Sequence, residues 1–174
     1  GMGVPFLTLT SVNQYANQAR CGDPDDDWEL LCDPCAEPCA MLTFSEPTDI
    51  DYSVAEGVVD SVFGNPQPSL RGINKPIPPH TNGTRSEITL ILPSDMSVDR
   101  VQWQLYFSIP TFPAAEIHET VNYYNSSWGW IAGAGRTWQP VQDAWQLTTV
   151  DVPPQVGVRY IIVVHEHQSN DAVQ

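Results

Sequence analysis

Positive charge is scarce in this sequence. Seven Lys and Arg stand against 21 Asp and Glu, the formal net charge is −14, and Lys75 is the one lysine. Such a surface repels nucleic-acid phosphates and anionic lipid, so neither is an expected partner. No apolar run approaches the roughly 18–20 residues of a membrane-spanning helix, so no membrane insertion is expected. No charged-then-apolar secretory leader opens the chain. No repeat of 20–50 residues and no βαβ alternation is found, which argues against a solenoid and a doubly wound nucleotide-binding fold. Catalytic signatures are equally thin. There is no Gly-x-Ser-x-Gly elbow. Gly133-Ala134-Gly135-Arg136 lacks the Lys-Ser/Thr and the strand-to-helix setting of a phosphate loop, and reads as a turn.

The composition does supply a core. Of the 174 residues, 41% are hydrophobic and 16% charged, which suits one domain over 1–174 and excludes a disordered polyelectrolyte. Sixteen prolines and 11 glycines punctuate short runs, as turns between strands do. Val4–Thr10 is a first apolar run. Residues 11–39 form an acidic loop excursion with Cys21, Cys32, Cys35 and Cys39, and residues 64–83 form a proline-rich connection. Ser53-Val54-Ala55-Glu56 matches a capping box, and Val54, Val58 and Val62 recur at four-residue spacing. This predicts at most one short helix, closed by Gly64. Strands at 49–54 or 58–63 compete with it, because Gly57 and β-branched Val58-Val59 disfavour a helix.

Beyond residue 86 the pattern is regular. Glu87–Leu92 reads as a strand stopped by Pro93. Val101, Trp103, Leu105, Phe107 and Ile109 alternate with Gln102, Gln104, Tyr106 and Ser108, giving one buried and one wetter face. Strands follow at 116–124, at 128–132, at 145–152 and at 158–167, the last apolar on both faces and therefore central. The expected fold is all-β, an antiparallel β-sandwich or jelly-roll-like barrel with long proline-rich loops.

Candidate chemistry is dispersed. The four clustered cysteines suit disulfides, with free thiols and a Cys32-x-x-Cys35 zinc site as rivals. A zinc ribbon lacks its second Cys-x-x-Cys. Asp23, Asp25 and Asp27 present carboxylates at alternate positions, of the kind calcium takes, although a solvated acidic loop is the plainer reading and no cofactor is otherwise implied. His165 and His167 share one strand face, as metal-binding pairs do, against the plainer reading of a packed or surface pair. Of six tryptophans, Trp128, Trp130, Trp138 and Trp145 fall within 18 residues, beside Tyr123 and Tyr124. Exposed Trp and Tyr give rigid contact area, so Tyr124, Trp128, Trp130 and Trp138 are candidate binding residues. The competing reading has them plug the open end of the fold. Asn82-Gly83-Thr84 and Asn125-Ser126-Ser127 are N-glycosylation sequons, meaningful only in a secretory pathway.

The strands at 87–92, 101–109, 116–124, 145–152 and 158–167, the proline-rich stretch 64–79 and the single Lys75 together resemble the protruding (spike) domain of small non-enveloped RNA-virus coat proteins. That resemblance implies a structural and interaction module on a virion surface or otherwise extracellular. It would self-associate as a homo-oligomer and meet a host-cell receptor protein or glycan. It also implies a calcium role for Asp23, Asp25 and Asp27. The clustered cysteines depart from the family's pattern. The alternative is a carbohydrate-binding β-sandwich module stacking sugars on Trp128, Trp130 and Tyr124. An enzyme, either a metal-dependent β-barrel using His165 and His167 or a hydrolase, ranks third.

Overall fold

The computed structural model describes residues 6–12, 44, 50–64, 68–109 and 114–169, and most of these lie in extended strands. The strands are β1 (Phe6–Val12), β2 (Asp51–Glu56), β3 (Val58–Asp60), β4 (Ser69–Arg71), β5 (Ile73–Asn74), β6 (Asn82–Val98), β7 (Val101–Tyr106), β8 (Ile117–Tyr124), β9 (Trp130–Trp138), β10 (Trp145–Thr149) and β11 (Gln155–Ser169). All pair antiparallel. The first sheet runs β10-β7-β1-β4-β3. The second runs β2-β6-β11-β8-β9, with β5 added to β6. The end strands of neither sheet pair with each other, so the closed barrel expected as one option is not formed. No helix occurs among the described residues.

Inward side chains of both sheets build one core. Leu70, Trp103 and Leu105 of the first sheet join Ile88, Leu90, Val121, Ile161 and Val163 of the second, and all are buried. Two ring contacts cross from sheet to sheet. Trp103 meets His165 edge-on at 5.0 Å, and Phe107, just beyond β7, meets His167 at 5.9 Å.

The helix expected near 53–64 is replaced by β2 and β3. Ser53 faces solvent and Val54 faces the core, a period of two that satisfies the backbone against β6. At Gly57 the chain leaves β6 for β4, and so changes sheets. Its φ of +125° is open to glycine, and a Cβ there would lie 2.9 Å from Leu70 Cδ1. The connection 64–83 is more than a surface loop: β4 and β5 lie in it, and Ser69 and Leu70 are buried. β1 extends to Val12, so residues 11 and 12 of the stretch expected as loop are strand, and the rest of that stretch lies outside the described residues. β6 continues through Pro93, which lies beyond the last β2 partner of β6 at Ile91, where no β2 carbonyl needs its N–H. The Gly133–Arg136 turn is instead the middle of β9. β11 is central, between β6 and β8, but only its inward residues are covered. Ile162 and Val164 on the other face stay half-buried.

Candidate functional site: the outer face of the second sheet

Cross-strand register arranges the second sheet's outer face in rows. The first row is Asp51, Ile91, Tyr160, Tyr124 and Trp130, one residue from each of five neighbouring strands. The second is Ser53, Thr89, Ile162, Asn122 and Gly133. The third carries Glu87, Val164, Thr120 and Gly135. The fourth carries Arg85, Glu166, His118 and Thr137. Successive outward residues on a strand lie about 7 Å apart and strands about 5 Å apart, so the face grades from aromatic through neutral polar to charged over a few such steps.

The aromatic end is built by the hairpin between β8 and β9. Asn125 organises its loop: its N–H donates to Gly129 O at 2.9 Å, and its carbonyl accepts from Trp128 N at 3.0 Å. Its side-chain Oδ1 accepts from the N–H groups of Ser127 (2.9 Å) and Gly129 (2.8 Å). Trp128 sits at φ 62°, a left-handed conformation that costs a bulky residue on the order of 1–2 kcal/mol. What it gains is position. Its ring lies parallel to Tyr160, with centroids 3.9 Å apart and planes within 2°. Tyr124 closes on it at 5.7 Å. One indole face is thus covered while the residue stays 51% exposed. Trp130 is 63% exposed, and its Nε1–H donates to Asn122 Oδ1 at 3.0 Å. Gly133 keeps that amide in place, because a Cβ there would come within 2.0 Å of Asn122 Oδ1.

At the charged end, two cations are held by three carboxylates. Arg85 donates to Glu56, to Glu87 (2.9 Å) and to Glu166 (3.1 Å), and Lys75 reaches Glu56 at 2.6 Å. Burial works to raise the Glu56 carboxyl. The hydrogen bonds and charges of Lys75 and Arg85 outweigh it and hold the group below its ordinary value.

Trp138, grouped by sequence with the exposed aromatics, lies on the opposite face. A register shift between Tyr123 and Tyr124 inserts a bulge after Trp130 and turns Trp138 inward. There it joins an inward row, His165–Glu119–Arg136, in which sequence reasoning singled out His165 but not its carboxylate partner. Glu119 is fully buried. Its Oε1 accepts from Arg136 Nε (2.9 Å) and Trp138 Nε1, and its Oε2 from Trp103 Nε1 (3.2 Å) and His165 Nε2 (2.9 Å). Arg136 also bonds Thr148 Oγ1 of the first sheet and lies 4.2 Å from the Trp138 ring centroid. Burial pushes the Glu119 carboxyl up, but His165 and then Arg136 outweigh that and hold it below the usual carboxylate range. A carboxylate only accepts, so His165 carries its proton on Nε2. His167 carries its own on Nδ1, which donates to Glu116 O at 2.9 Å. Both imidazoles are therefore packed core groups, whose Nδ1 (His165) and Nε2 (His167) have no hydrogen-bond partner. Glu119 could be foreseen as inward, since Ile117, Val121 and Tyr123 flank it at period two.

Among the described residues no group of three or more His, Cys, Asp or Glu is placed to hold a metal ion. The candidate disulfide residues Cys21, Cys32, Cys35 and Cys39 and the candidate calcium ligands Asp23, Asp25 and Asp27 lie outside the described residues. No protein-family model matches the chain, and no curated protein matches it.

Proposed function

We propose that the protein acts by contact, as an interaction module whose working surface is the aromatic row Tyr160–Tyr124–Trp130 with Trp128 laid over it. The observation that carries this reading is Trp128 itself. The Asn125 turn sets a left-handed position at its end, and an indole fills it, its ring parallel to Tyr160 and half exposed, where core packing requires no aromatic. Rigid, amphipathic aromatic area of this kind is what binding surfaces concentrate. The buried Glu119 cluster, by contrast, has its acceptor sites filled by protein donors, which suits a fastening between layers. We read those layers as the two halves of a β-sandwich, a reading supported by the Trp103–His165 contact between them.

A projecting coat-protein domain, self-associating and offering this row to a receptor, falls within the same reading. The all-β architecture and the acid-rich composition favour it. The test is heteronuclear NMR of the indole N–H signals while glycans, peptides and rising concentrations of the protein itself are titrated in. Binding is expected to move Trp128 and Trp130 and to leave Trp103 and Trp138 in place. A ligand that binds tightly and leaves Trp128 and Trp130 unmoved would refute the assignment.

A further inference from the structure

We infer that the ligand of this face is a neutral glycan, lying from the aromatic row onto the second and third rows. This rests on the binding reading above and narrows it to one chemistry, which four features select.

The first is shape. The open face of the Trp128 indole and the exposed Trp130 ring are flat, electron-rich platforms, and the axial C–H groups of a pyranose ring stack on such surfaces. The second is what lies beside them. Ser53, Thr89, Asn122 and Thr120 offer hydroxyl and amide groups that can both donate and accept, which matches sugar hydroxyls. On the β9 side, Gly135 leaves exposed backbone without a side chain, and the space over Gly133 is taken by the Asn122 amide. A protein partner would find little to anchor in here, since the apolar side chains of these rows, Ile162 and Val164, are themselves half-buried. The third is charge. The first three rows carry no Lys or Arg, and Arg85 in the fourth is already bound by Glu56, Glu87 and Glu166. With a net charge of −14, nothing on this face would hold a sulfate, phosphate or uronate. The fourth is preorganisation. The Asn125 turn and the Tyr160 stack fix Trp128 before any ligand arrives, so little ordering cost remains for a weakly interacting, hydroxylated chain.

The experiment is a titration of the whole chain with neutral hexasaccharides of glucose, xylose, mannose, galactose and N-acetylglucosamine. Oligogalacturonate serves as the acidic control, and binding is read by tryptophan fluorescence and calorimetry. At least one neutral chain is expected to bind with an affinity insensitive to added salt. Trp128→Gly, which suits the left-handed backbone, should weaken that binding about tenfold or more, and Trp130→Ala should do likewise. Near-ultraviolet circular dichroism checks that each variant is folded. Trp130→Ala carries the test if Trp128→Gly is not. If no neutral glycan binds while a peptide or protein engages the same tryptophans, the glycan inference falls and the binding reading stands. Tighter binding of the acidic control also overturns the inference. If nothing moves Trp128 or Trp130, both fall.

Discussion

Two pairs of tryptophans, alike in sequence, are put to opposite uses. Trp103 and Trp138 lie between the sheets and direct their indole N–H groups at one buried carboxylate. Trp128 and Trp130 lie on the outer face with half or more of their area in water. The inner pair satisfies a polar group that would otherwise be costly in a low-dielectric core. The outer pair makes no such contribution, and Trp128 is held at a conformational cost. Residues that fasten the core and residues for which we propose a binding role thus sit on opposite faces of one sheet, and substitutions should separate them.

The largest expected effect is on the inner side. Glu119→Ala leaves Arg136, His165, Trp103 and Trp138 without their shared acceptor, and should lower stability by about 3–5 kcal/mol in urea unfolding. Acid should act on the same group. The folded carboxyl is held below its ordinary value of 4.5, so its contribution is fully present above that pH. It fades as the pH falls from there through the folded group's lower value, because the unfolded chain takes up the proton first. Midpoints measured against pH should therefore drop on acidification, and less steeply in Glu119→Gln. The slope that remains includes Glu56, which is shifted in the same direction. Trp103→Phe removes one donor and keeps most of the ring. It should cost roughly 1.5–3 kcal/mol, as a hydrogen bond to a charged group does.

On the outer side the stability effects shrink. Trp128→Gly loses an aromatic pair worth about 0.5–1.5 kcal/mol beyond its area burial, together with the half-buried area of the indole, and relieves backbone strain of about 1–2 kcal/mol, so the net loss should stay well below that of Glu119→Ala. Trp130→Phe should change stability by about 0.5 kcal/mol or less, because its hydrogen bond to Asn122 is open to water. A large loss of stability in either outer variant would erase the distinction between the pairs.

Much of this was legible in the sequence where burial follows a period of two. The alternation from Val101 placed Trp103 in the core, and the apolar run through Val163 placed β11 at the centre of its sheet. Legibility failed where pairing, not composition, makes the strand. Gly133, Ala134 and Gly135 have no apolar rhythm and are extended because β8 pairs with them. Trp130 and Trp138 are eight residues apart and would share a face by parity alone. The bulge between them reverses that parity, and no local motif announces it. The capping box at Ser53 misled because Gly57, read as a weak point in a helix, is the place where the chain crosses between sheets.

The order of β11 in the chain has a consequence for biosynthesis. β6 and β8 do not pair with each other; each hydrogen-bonds to β11, which emerges from the ribosome after both. Until it does, two long strands offer their open edges to any other nascent chain nearby. Translation that stalls between residues 124 and 155 should therefore yield aggregates or chaperone-bound fragments rather than a half-built sheet.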